Sequence, residues 1–148
     1  MTFIHTQVEA ARSGAAPDLI CRLPSGWLMM CQMQFLRGYC IQLPDPVVGS
    51  LNDLLPAARV AYLSDMALIG DALMEVTGAY RINYGIMGNS DPALHSHIVP
   101  RYLDEPEHLL HGLPWSYPKA QLDGVLFERE RDLELMQQIA KAIRSRTG

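Results

Sequence analysis

Between residues 53 and 77 apolar side chains recur at Val60, Leu63, Ala67, Gly70 and Met74, and Met66, Leu73 and Thr77 widen the stripe. That is helical spacing held over several turns, and it predicts one long helix from about Asp53 to Thr77. Asp53 is placed to cap it, Pro56 falls near its first turn, and Gly78 is suited to end it in a left-handed conformation. A short helix is expected over Phe3–Ser13, capped by Thr2, with Ile4, Val8 and Ala11 on one face. A second amphipathic helix is expected over Leu126–Arg144, where Leu133, Met136, Ala140 and Ile143 keep the period.

The remaining pattern is that of strands. Asp18–Leu23 and Gly26–Leu36 are joined by the turn-forming Pro24-Ser25-Gly26, and after a bend at Arg37-Gly38 the chain returns as Tyr39–Leu43. Tyr80–Met87 and Ala93–Val99 are two more strands around the loop Gly88-Asn89-Ser90-Asp91-Pro92, and Pro100 closes the second. Asp104–Lys119, with three prolines, reads as irregular. Paired strands, a long helix and further strands predict an α+β domain with an antiparallel sheet.

Composition narrows the function more than the fold. The chain has 148 residues, the size of one domain, and is treated as a single unit, 1–148. Apolar residues make up 49% of it and charged residues 19%, so wholesale disorder is excluded. Twelve basic and sixteen acidic side chains give 12 − 16 = −4, without a basic cluster. A dedicated nucleic-acid partner is therefore not expected. No apolar run is long enough for a membrane span, and residues 1–17 lack the pattern of a signal peptide, so no membrane partner and a cytoplasmic location are expected. Cys21, Cys31 and Cys40 sit in apolar runs without metal-type spacing and read as buried free thiols. The methionines, including Met29, Met33 and Met74, read as core filler. Neither a dinucleotide-binding nor a P-loop glycine pattern occurs.

The candidate chemistry lies in Ala93-Leu94-His95-Ser96-His97-Ile98-Val99-Pro100-Arg101. Residues two apart on a strand share a face, so His95 and His97 stand side by side. Asn89, Ser90 and Asp91 precede them, and Asn83 lies on the neighbouring strand. Hydroxyl, amide and imidazole groups contact phosphate oxygens as neutral donors, and a neutral imidazole attacks phosphorus without a base. The plainer alternative is a pair of histidines on a half-buried sheet face. A metal pair is another; its third ligand would come from Asp91, Asp104, His108 or His111. Arg101 could position phosphate, although an arginine just past a strand is more often at a surface or dimer contact. Trp115 and Tyr117 could stack on a base, but more readily pack a loop onto the core. The charge run Arg129, Glu130, Arg131, Asp132 and Glu134 reads as a solvated helix face.

From Asn83 to His95-Ser96-His97-Ile98-Val99-Pro100-Arg101 the chain resembles the histidine triad (HIT) family. Upstream, Gly38-Tyr39-Cys40-Ile41-Gln42-Leu43-Pro44 resembles the family's Gly-His strand, and Ser50-Leu51-Asn52-Asp53-Leu54 its entry to the main helix. The resemblance covers roughly residues 20–102, leaving 103–148 as a C-terminal extension. It implies a five-stranded antiparallel sheet with a long central helix and a C-terminal helix, and a homodimer. The apolar segment Trp27–Phe35 is compatible with such an interface.

By the same resemblance His95 is the nucleophile that becomes nucleotidylated, and His97 helps bind the phosphoryl group. Ser90 and Asn83 match phosphate-contacting positions. With Asn89 and Arg101, they are the expected substrate-binding residues. The implied activity is hydrolysis or nucleotidyl transfer at a phosphoanhydride or phosphoramidate, with a nucleotide-like small molecule as partner and no cofactor or metal. Two positions depart from the family pattern: Ala93 replaces the first triad histidine, and Tyr39 follows Gly38 where the family has histidine. The alternatives are a non-catalytic nucleotide-binding homodimer with a degenerate site, and a structural protein with a vestigial one.

Overall fold

The computed structural model describes residues 1–147. Its strands β1 (Leu19–Leu23), β2 (Gly26–Met30), β3 (Cys40–Pro44), β4 (Arg81–Gly85) and β5 (Ser96–Arg101) form one antiparallel sheet ordered β1-β2-β3-β5-β4. One face carries helices α2 (Pro56–Thr77) and α5 (Arg129–Thr147), packed through Leu28, Cys40, Ile69, Leu73, Ile98 and Ile139. The other face is covered by α1 (Phe3–Ser13) and the segment after β5, over Met29, Tyr39, Ile41, Leu43 and Val99. The antiparallel sheet, long central helix and C-terminal helix confirm the α+β architecture. Among the described residues no helix is long and apolar enough to cross a membrane.

Local chemistry explains the elements. Helix α1 has the expected bounds: the Thr2 hydroxyl accepts from the His5 N–H, the His5 ring accepts from the Thr2 N–H, and Gly14 ends the helix at φ 74°. The β1–β2 turn is held from below by Asp65, whose carboxylate accepts from the Ser25 N–H at 2.9 Å and hydroxyl at 2.5 Å. Gly26 then passes beneath β3, where an added Cβ would lie 1.9 Å from the Leu43 carbonyl oxygen. Gly26→Ala is therefore expected to cost about 3 kcal/mol, because backbone has to move. A denaturant midpoint within error of the parent would contradict this.

Several boundaries differ from the pattern-based expectations. β2 ends at Met30 rather than Leu36. Residues 31–39 form a loop that looks strand-like only because Cys31, Gln34 and Leu36 are buried. The Gln34 amide holds that loop, donating to the Cys31 and Tyr39 carbonyls while accepting from the Gly38 N–H. Trp27–Phe35 therefore packs within the chain rather than forming an exposed apolar segment. α2 starts at Pro56, after a 3-10 turn over Leu51–Asp53 in which Asp53 accepts from the Ser50 hydroxyl instead of capping the helix. α5 is shifted to Arg129–Thr147. In its charge run Asp132 is buried and accepts from the Glu128 N–H, so that residue is not on a solvated face. The segment expected to be irregular contains the short helix α3 (Glu107–Leu110) and a 3-10 turn over Pro114–Ser116, and the short helix α4 (Lys119–Leu122) starts where it ends.

The largest difference concerns the face of α2. Its core-facing side chains are Tyr62, Asp65, Ile69 and Leu73, whereas Val60, Leu63, Ala67 and Met74 are exposed. The helix is apolar nearly all round, so periodicity alone selects no face. Asp65 points inward because the β1–β2 turn requires its carboxylate. Met74 is thus not core filler.

Candidate active site

Strand β5 begins at Ser96, so His95 stands one residue before the ladder rather than inside a strand from Ala93. The two-residue spacing still pairs the imidazoles, whose ring centroids are 5.1 Å apart. Ser96, between them, faces α2 and is hydrogen-bonded to the Tyr62 hydroxyl at 2.7 Å. His95 lines a cleft of about 310 Å³ with Gly49–Asn52 on one side and Ile86–Gly88 on the other.

The hydrogen bonds define what each ring presents. His95 Nδ1 lies 2.8 Å from the Ala93 carbonyl oxygen. A carbonyl only accepts, so Nδ1 carries the proton and the neutral ring keeps its lone pair on Nε2. His97 Nδ1 lies 2.6 Å from the Tyr39 hydroxyl, which also accepts from Trp115 Nε1 at 3.2 Å. Burial, with the neighbouring His95 as a smaller cause, depresses His97 to about 4. Its ring is therefore neutral at pH 7.

This shift has a sign for stability. Between its ordinary value near 6.5 and about 4, His97 binds a proton more readily in the unfolded chain than in the folded one. Its contribution is complete above pH 6.5 and is lost as the pH falls through that window. We expect His97→Gln to have a flatter stability profile than the parent from pH 6.5 to 4, measured by denaturant titration. Parallel profiles would contradict this.

The other expected site residues are only partly assembled. Asn83 pairs with Val99 in the β4–β5 register and shares a face with His97. Its carbonyl accepts from Arg101 Nη1 at 2.8 Å, which turns its amide N–H groups away from Arg101. Asn89 and Ser90 are exposed and lie outside the residues lining the cleft. Asp91 is directed elsewhere, accepting from the Ile4 N–H at the start of α1.

Arg101 corrects both of its readings. It is 2% exposed, so it is neither a surface nor a dimer-contact residue. Its N–H groups are all engaged by Glu105, Asn83 and the carbonyls of Leu109, Leu110 and Gly112, leaving none for a phosphate. Glu105 also accepts from the Tyr117 hydroxyl at 2.6 Å, and Tyr117 is buried against the core. Burial would raise the Glu105 carboxyl, but Arg101, Tyr117 and the Tyr102 N–H hold it below its usual value.

Sequence reasoning named Trp115 only as a candidate base-stacking or loop-packing residue and Tyr39 only as a departure from the family pattern; neither was expected to contact His97. Trp115 sits 5.4 Å from the His97 ring and over Gly85, where an added Cβ would lie 3.0 Å from the indole. The cross-strand register, Gly85 opposite His97, was the available signal. Among the described residues no three His, Cys, Asp or Glu side chains converge as a metal site. His5 caps α1, and His108 and His111 are exposed at α3.

Similar folds occur among solved structures of histidine triad proteins. One from Marinobacter aquaeolei VT8 superposes with a TM-score of 0.74 at 17% identity, over 98% of each chain. One from Sinorhizobium meliloti 1021 gives 0.71 at 22% identity, over 90% of this chain and 93% of its own. A hypothetical histidine triad nucleotide-binding protein from Sulfolobus tokodaii strain 7 gives 0.72 at 13% identity, over 95% and 92%. No family model and no curated protein matches the sequence. At these identities the likeness establishes the architecture: the chain has the histidine triad fold.

Proposed function

We propose that this protein is a nucleotide phosphohydrolase or nucleotidyl transferase acting through His95. The observation that carries the reading is the His95–Ala93 hydrogen bond, which engages Nδ1 and turns Nε2 toward reaction at a cleft wall beside the imidazole of His97. His95 Nε2 attacks the α-phosphorus of a nucleoside phosphoanhydride or phosphoramidate. The N–P bond forms as the bond to the leaving group breaks, and water then cleaves the nucleotidyl-histidine to release the monophosphate. His97 and the Asn83 amide donate to the non-bridging oxygens, where charge grows. The likeness to the Sulfolobus nucleotide-binding protein supports a nucleotide as the ligand.

A second reading, a nucleotide-binding module without turnover, is favoured by the exposure of Asn89 and Ser90 and by the missing imidazole at Ala93. Incubation with adenosine and guanosine phosphoramidates, diadenosine polyphosphates and adenylyl sulfate separates the two. Monophosphate release by the parent supports the enzyme; silence with heat protection by a nucleoside monophosphate supports the module.

The homodimer belongs to this proposal. α2 exposes Val60, Leu63 and Met74, Tyr84 is 46% exposed beside the same helix, and β4 is an edge strand. An apolar stripe beside an unpaired strand edge suits a second copy of the chain. Leu63→Glu is expected to halve the mass in sedimentation; a parent that already sediments as a monomer overturns this part.

A further inference from the structure

We propose that Tyr39 and Trp115 are positioning residues that hold His97 in the tautomer opposite to that of His95. This rests on the reading of His97 as a donor to the phosphoryl group. The geometry leaves few arrangements for the shared hydroxyl. Tyr39 is wholly buried, and its hydroxyl has two hydrogen-bond partners, Trp115 Nε1 and His97 Nδ1. An indole N–H only donates, so the Tyr39 oxygen is the acceptor in that bond. Its own proton then has one strong acceptor within reach, His97 Nδ1. Cys31, the other side chain acting on this hydroxyl, offers only a weak sulfur acceptor. Leaving the buried proton undonated would cost the hydroxyl its full desolvation without a compensating bond. His97 Nδ1 therefore accepts, and its ring proton resides on Nε2.

The two imidazoles thus complement one another. His95 is protonated on Nδ1 and presents a lone pair, whereas His97 is protonated on Nε2 and presents a donor. One ring attacks and the other receives the charge that develops on oxygen. The outer member of the relay arrives from the C-terminal extension. Arg101 binds the carbonyls of Leu109, Leu110 and Gly112, and Glu105 binds Tyr117, so the segment carrying Trp115 is fastened on both sides of the indole. Gly85 provides the space in which the indole lies against His97.

The test reads the tautomers directly, with or without turnover. Full-length protein labelled with ¹⁵N-histidine is observed at neutral pH by long-range ¹H–¹⁵N correlation, with the resonances assigned from His95→Gln and His97→Gln. The parent is expected to show His97 protonated on Nε2 and His95 on Nδ1. Tyr39→Phe should convert His97 to a mixture of tautomers without altering His95, and Trp115→Phe should shift it partway. Where the parent also hydrolyses the phosphoramidate, Tyr39→Phe should lower kcat about tenfold, one hydrogen bond's worth, with KM nearly unchanged. A parent His97 protonated on Nδ1, or a folded Tyr39→Phe with an unchanged His97 pattern, overturns the proposal. If Tyr39→Phe does not fold, an unchanged pattern in Trp115→Phe does so. A confirmed tautomer pair in a protein silent toward every substrate would refute the catalytic reading while leaving the relay intact.

Discussion

His95→Ala is expected to reduce monophosphate release by roughly 10⁴-fold, the scale on which removal of a covalent nucleophile is felt. The loss should fall on kcat, because no other side chain at the cleft presents an unprotonated ring nitrogen. His97 stands 5.1 Å from the His95 ring but does not line the cleft; its Nδ1 is occupied by Tyr39 and its Nε2 carries the proton. His95→Ala should leave the fold intact, since His95 lies outside the β5 ladder and its ring makes one hydrogen bond, to its own segment. Rapid-quench detection of a radiolabelled nucleotidyl-protein provides the stricter check. The adduct should form on the parent and be absent from the variant. Equal hydrolysis by both would remove His95 from its assigned role.

Arg101→Ala should be the most damaging single change to stability, at about 3–5 kcal/mol. Removing one partner of a buried ion pair leaves the other charge uncompensated. The Glu105 side chain is 4% exposed and would keep only the Tyr117 hydroxyl and the Tyr102 N–H. The carbonyls of Leu110 and Gly112 would lose the arginine donor as well, and that of Leu109 would keep the Gly112 N–H. The effect should diminish in acid. Glu105 is held below its ordinary 4.5, so its contribution is present above that value and lost as the pH falls through the folded value. Denaturant midpoints for parent and variant should therefore converge below about pH 4.5. A difference under about 1 kcal/mol at pH 7 would show that the segment after β5 is held by other contacts.

The same arginine shows where sequence reading runs out. Period-two spacing was enough to pair His95 with His97, and Thr2 and Gly14 were enough to bound α1. These are local effects, set within a few residues. The partners of Arg101 are carbonyls of a segment with no periodicity, and nothing about an arginine after a strand announces them. α2 failed for a different reason. Val60, Leu63, Ile69 and Leu73 are spread around it, so apolar periodicity alone did not fix its rotation, although Ser64, Asp71 and Glu75 mark its exposed face; the decisive contact was between Asp65 and a turn forty residues earlier. Tyr39 was legible only as a departure from a familiar pattern. Its meaning depends on Trp115, seventy-six positions away.

That separation bears on how the molecule is made. Synthesis runs from the amino terminus, and β5 with both histidines is made before Pro114–Ser116. α5, which closes one face of the sheet, comes later still. A nascent chain stalled near residue 110 would carry every histidine that the chemistry requires but lack the indole that orients one of them. The aligned pair of imidazoles is thus completed only once Trp115 has been made, and a stop between Arg101 and Trp115 should yield a product without it.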